Sequence, residues 1–118
     1  IYSAQATSAH GFVFKNVAYY EGFSTSRGYV MVISDGASCT AFAPNFPNWN
    51  SSQFRIAACD DYMIAVYPST GGQYLAAIST DGQSWTSVPA PNLMPTKIVA
   101  TSSFWLMYSG TTLKRAPL

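Results

Sequence analysis

The sequence predicts an all-β chain made of consecutive four-stranded antiparallel units of about 45 residues, two complete and a third cut short. Two observations carry this expectation. The chain repeats itself, and its apolar residues fall in short runs between turn residues with no capped helical period. Ile33 to Thr40 (ISDGASCT) returns as Ile78 to Thr86 (ISTDGQSWT). Asp35/Asp81, Gly36/Gly82, Ser38/Ser84 and Thr40/Thr86 keep a spacing of 46 (81 − 35). Upstream, Ser24, Thr25 and Tyr29 face Ser69, Thr70 and Tyr74 at 45 (69 − 24). Each copy runs into an Ala-Pro pair, Ala43-Pro44 or Ala90-Pro91, and a Pro/Asn-rich stretch. A third copy then opens, Ile56-Ala57-Ala58 resembling Ile98-Val99-Ala100 and Met63 to Tyr67 resembling Phe104 to Tyr108.

Runs rich in Val, Ile, Tyr, Phe and Trp bounded by Gly, Asp, Asn and Ser read as strands. In the first copy these are His10 to Phe14, Val17 to Glu21, Tyr29 to Ser34 and Ser38 to Ala43. The second contributes Gln53 to Ala58, Tyr62 to Tyr67, Gln73 to Ser79 and Ser84 to Val88. The third contributes Lys97 to Thr101, Phe104 to Tyr108 and Thr112 to Arg115. Lys15-Asn16, Asp60-Asp61 and Ser102-Ser103 sit where two-residue hairpin turns belong.

Composition narrows the function. Charged residues make up 9% of the chain, against about a quarter in an ordinary soluble domain, so Ser, Thr, Asn, Gln, Gly and Tyr supply the polar surface. That mix is common in extracellular β-proteins and virion fibres. A net charge of +1 provides no field to attract nucleic acid or an anionic membrane, and no apolar run approaches the roughly 20 residues of a spanning helix. No nucleic-acid partner and no membrane insertion are expected. The start at Ile1, without Met or a signal-peptide pattern, fits a processed or trimmed chain or the ordered part of a longer one. Cys39 and Cys59 lie outside any CxxC spacing and read as two buried free thiols.

Four strands per repeat of about 45 residues is also the period of a β-propeller blade. Ser79-Thr80-Asp81-Gly82-Gln83-Ser84-Trp85 resembles the Asp-box, the SxDxGxxW turn of sialidases and other propellers, phage tail and fibre proteins among them. The present copy is one residue short, Asp81 and Gly82 being adjacent, and Ser34 to Cys39 lacks the Trp. The resemblance implies an incomplete β-propeller-like ring of 2.5 to 3 blades, with Asp35, Gly36, Asp81, Gly82 and Trp85 as turn residues. The turn makes physical sense by itself: an Asp carboxylate bonds nearby N–H groups, Gly takes a positive φ and Trp covers the hairpin base. Three blades do not close a ring, so a further copy, another protein or further chain is expected against the open faces, and Ile1 to Ala4 are expected as an outer strand of the last blade.

Catalytic constellations do not emerge. A sialidase needs an arginine triad, a Tyr/Glu pair and an Asp on six blades, whereas this chain has Arg27, Arg55, Arg115 and one glutamate, Glu21, with the arginines read as solvent-facing strand ends. His10 is the only histidine and reads as a strand-face imidazole; Asp60-Asp61 reads as a turn. There is no GxSxG, phosphate loop or HExxH, so a non-enzyme with no metal or cofactor is expected.

What remains is recognition by loops. The propeller-like order would gather Phe23 to Arg27, Phe46 to Asn50 and Pro68 to Gly72 on the face opposite the Asp-box turns, with Asn92 to Met94 nearby. Phe23, Arg27, Asn48, Trp49 and Asn50 are the candidate ligand-binding residues. Two readings of Trp49 stand open: an indole between two amides that stacks on a sugar, or a ring packed between blades. The first functional expectation is a non-catalytic virion component such as a phage tail, fibre or decoration protein, working through contacts with itself or with other virion proteins. The alternative is an extracellular lectin-like module for a surface glycan. Against the second, Asn92-Leu93-Met94 offers no aromatic counterpart of Trp49.

Overall fold

A computed structural model describes residues 5–26 and 28–117, with side chains across 11–26 and 28–115. The described residues form strands β1 (Gln5–Phe14), β2 (Val17–Ser24), β3 (Gly28–Ser34), β4 (Cys39–Phe42), β5 (Arg55–Ala58), β6 (Met63–Pro68), β7 (Tyr74–Ser79), β8 (Thr86–Val88), β9 (Lys97–Ala100), β10 (Phe104–Ser109) and β11 (Thr112–Pro117). Each expected strand is present within a few residues, save that β1 begins five residues early. Its first part pairs Gln5 and Ala6 with Phe23 and Gly22, then skips through a bulge before Gly11 meets Tyr20. Ile1 to Ala4 lie outside the described residues.

The chain is all-β with three small antiparallel sheets, in the orders β1-β2-β3-β4, β5-β6-β7-β8 and β11-β10-β9. Within each sheet consecutive strands pair, because short hairpin loops leave no chain for a crossover. Lys15 and Asn16 both take positive φ, 50° and 65°, which a two-residue turn matched to the strand twist requires. Cys59 N–H bonds to Tyr62 O at 3.0 Å, and Thr101 N–H to Phe104 O at 2.8 Å, so Asp60-Asp61 and Ser102-Ser103 form corresponding turn tips.

The sheets stack through two apolar cores, with the first strands side by side: β1 touches β5, and β5 touches β9. One core joins Phe14, Tyr19 and Met31 of the first sheet to Ile56, Met63, Ala65, Tyr67 and Ala77 of the second. The other joins Tyr62, Ile64, Val66 and Ala76 to Ile98, Trp105 and Met107 of the third. Side chains alternate across a strand, so Met63, Ala65 and Tyr67 face one neighbour while Ile64 and Val66 face the other. This is why β6 reads as an almost unbroken apolar run, whereas β10 alternates buried and less buried residues.

The pairings Ala58↔Met63 and Ala100↔Trp105 correct the expected third-copy alignment. Met63 corresponds to Trp105, a spacing of 42 (105 − 63), and not to Phe104. A slip of one residue exchanges the two faces of a strand, and only the spacing of 42 sends Trp105 and Met107 into the core. The cysteines also depart from expectation: both thiols are free, but Cys39 is exposed and Cys59 half-buried.

Trp105→Ala should cost about 3–5 kcal/mol through lost burial and the cavity left behind. Val99→Ala, on the open face of the same sheet, should change stability by less than about 0.5 kcal/mol. Urea unfolding of both variants checks the assignment of faces.

Candidate binding surface

The Pro/Asn-rich connection between β4 and β5 is anchored by Phe46, buried at the edge of the first core. Its ring stacks on Tyr67, with centroids 4.8 Å apart and 10° between planes, and meets Trp85 edge-on at 4.8 Å. Phe54 and Trp49 approach it at 5.2 and 5.4 Å. These offset and edge-on geometries are the ones aromatic quadrupoles favour.

Pinned by that cluster, the connection lies along the β6–β7 turn. Asn50 N–H bonds to Pro68 O at 3.2 Å, Thr70 N–H bonds to Asn48 O at 2.9 Å, and Trp49 pairs with Ser69 in a one-residue bridge. Asn48 and Ser51 turn the chain with positive φ of 58° and 68°. Asn50 Oδ1 accepts Ser52 N–H at 2.9 Å, and the Trp49 indole N–H donates to Ser52 O at 3.0 Å. Asn92 reaches the same end of the second sheet, its Oδ1 accepting Tyr74 N–H at 2.9 Å.

Asn48, Trp49, Asn50 and Pro68 to Thr70 are therefore together, with Asn92 at the same sheet end. Asn48 and Asn50 are exposed and Trp49 is half-buried. Phe23 stands apart on the first sheet, edge-on to Tyr29 at 5.1 Å. Arg27 lies outside the described residues, as does the side chain of His10.

The two repeated turns share three hydrogen bonds. Asp35 Oδ1 accepts N–H from Ala37 and Ser38 at 2.9 and 3.1 Å; Asp81 Oδ1 accepts from Gln83 and Ser84 at 2.8 and 2.9 Å. Those donors hold both carboxyls below the usual carboxylate range. Ser34 and Ser79 Oγ accept from Gly36 and Gly82 N–H at 3.1 and 2.8 Å. Both glycines have positive φ, but only Gly82 is crowded: a Cβ there would meet Tyr19 Oη at 3.1 Å and Met63 Cε at 3.4 Å. The second turn thus also closes the stack, and burial together with the Asp81 charge pushes the Tyr19 phenol up. At the other core, Tyr62 O–H donates to Thr101 O at 2.6 Å, and burial, helped by Cys59 and Asp61, pushes its phenol up to about 12.

One pair escaped the sequence reading. Arg55 is not a solvent-facing strand end: its Nη1 lies 3.2 Å from Oε1 of fully buried Glu21. Glu21 Oε2 accepts Ile56 N–H at 3.0 Å, and Gln53, with its amide oxygen turned toward the guanidinium, accepts from Arg55 Nη1 at 2.7 Å. The carboxylate sits where the first sheet meets the second, and this supplies its charge partner and hydrogen bonds. A lone Glu in the run Val17 to Ser24 was the available signal. Arg115, by contrast, is exposed and covers the Phe104 ring at 4.4 Å.

No family model, curated protein or solved structure matches the chain.

Arg55→Ala should cost about 3–5 kcal/mol, because it strands a buried carboxylate, and guanidinium unfolding measures it. For Asp35 and Asp81 the folded pKa lies below the unfolded value near 3.8. Their stabilisation is therefore complete above that value and is lost as pH falls through the lower folded value. Asp81→Asn should destabilise the protein at pH 7, with the gap to wild type narrowing below about pH 3.8, as read from unfolding midpoints across pH.

Proposed function

We propose that this chain is a non-catalytic structural or assembly component of a virion, built as an incomplete propeller-like stack and acting through protein contacts. The observation that carries the reading is the open face of the third sheet, where Val99, Tyr108 and Leu113 are 50%, 47% and 65% exposed. Large apolar side chains grouped on a sheet face mark a surface that another protein covers.

The propeller-like form is supported by the meander order of the two four-stranded sheets, their face-to-face packing with first strands adjacent, and the paired Ser-Asp-Gly turns. Virion membership rests on the low charge, the Ser/Thr/Tyr-rich strands and the turn's resemblance to phage propellers. Trp49, the centre of the lectin alternative, directs its indole N–H to Ser52 and packs edge-on against Phe46 and Phe54. That arrangement favours a structural role for it.

A glycan array with light scattering tests the reading. The expected result is no sugar binding by the folded chain and a particle mass above 12.8 kDa. Specific sugar binding abolished by Trp49→Ala, in a variant with unchanged stability, would overturn it.

A further inference from the structure

We propose that the cleft where the first strands of the three sheets meet binds a small organic carboxylate, whose anionic group takes at the second sheet interface the place that Glu21 takes at the first. The basis is an equivalence between the two interfaces. Ser34 pairs with Ala18 as Ser79 pairs with Met63, so Glu21, opposite Met31, corresponds to Val66, opposite Ala76. With Met63 matched to Trp105, Arg55 corresponds to Lys97 and Ile56 to Ile98. At the first interface the three groups are joined, Glu21 Oε1 taking the Arg55 guanidinium at 3.2 Å and Oε2 the Ile56 N–H at 3.0 Å. At the second interface the cation and the amide return as Lys97 and Ile98. The acid does not: Val66 holds its position, fully buried as Glu21 is.

The Ile98 amide is also aimed as the Ile56 amide is. Along an antiparallel edge strand, N–H groups point alternately into the ladder and away from it. Cys59 N–H bonds to Tyr62 O and Thr101 N–H to Phe104 O, which fixes the phase in β5 and β9. Ile56 and Ile98, each an odd number of residues before those donors, therefore direct their N–H groups out of the ladder. The Ile56 N–H meets Glu21 there. Among the described residues no side chain accepts the Ile98 N–H or pairs with the Lys97 ammonium. Ile98 is buried, so an acceptor for its amide is worth more than it would be in water.

Both groups border a cleft of about 300 Å³, the size of a small-ligand site, which Gly11 and Phe12 of β1, residues 56–58 of β5 and Lys97 and Ile98 of β9 line. None of these lining residues is acidic. A carboxylate has two oxygens and so accepts an ammonium and an amide at once, as the two oxygens of Glu21 accept a guanidinium and an amide. Phe12, Ile56, Ala58 and Ile98 offer apolar contact to a short hydrocarbon body. Lys97 is exposed, so the charge that attracts the anion is within reach of solvent.

The test is a titration of the ¹⁵N-labelled chain with sodium butyrate at constant ionic strength, followed on the Ile98 backbone amide. The range extends to about 50 mM, past the millimolar affinity of a ligand with so few atoms. Butyramide, which has the same body without the charge, and inorganic phosphate are titrated alongside. Expected is a saturable Ile98 shift with butyrate, none with butyramide and weaker binding of phosphate. Lys97→Gln should weaken butyrate binding about tenfold, the loss of one charged hydrogen bond. Lys114→Gln, which removes the same charge at an exposed position outside the cleft, should leave it unchanged. An Ile98 amide that does not respond, or that responds equally to butyramide, overturns the proposal. So does equal weakening by the two lysine variants, which would mean attraction by net charge alone. Tighter binding of phosphate than of butyrate overturns the carboxylate assignment.

Discussion

The structure depends on one constraint: a small sheet with an apolar face must bury that face against something else. The second sheet meets this requirement twice. Met63, Ala65 and Tyr67 enter one core and Ile64 and Val66 the other, and all five are fully buried. Among the described residues the third sheet is covered on one side only, whereas in the first sheet Val30 and Ala41, on the side away from the second, are buried as well. The functional reading grows from the open face of the third sheet.

Within this apolar stack, Glu21 is the exception that orients two layers. Its carboxylate is at the first interface, on the face that also carries Tyr19 and Met31, and its partners come from the neighbouring sheet: the Arg55 guanidinium and the Ile56 backbone. Apolar packing is non-directional and tolerates sliding, whereas these hydrogen bonds are met in one position. Tyr62 ties the second interface similarly by donating across it to Thr101 O. Gly82 adds a steric condition, since its backbone holds a positive φ and a Cβ there would crowd the Tyr19 ring.

Much of the fold was legible because strands, hairpin turns and repeats are local. Lys15-Asn16 was readable from spacing alone, as were the Asp35 and Asp81 turns, where the side chain bonds backbone two and three residues on. The candidate site was less legible. Asn48, Trp49, Asn50 and the β6–β7 turn do come together, but the role of Phe46 as the hub of four aromatic contacts follows from rings brought in by three different segments. The third-copy register was misjudged by one residue because Met63 to Tyr67 and Phe104 to Tyr108 are both apolar throughout, so no alternation distinguishes their faces.

By itself the sequence determined that the chain is all-β, in consecutive antiparallel units of fixed period with short turns, since those properties arise from residues within a few positions of one another. Only the tertiary structure decided which side of each strand is covered, which charged residues are paired, and which apolar residues remain exposed. Val66 and Tyr108 illustrate the reason: they hold equivalent places in equivalent strands, yet one is fully buried and the other half-exposed, because exposure depends on the next layer and not on the strand.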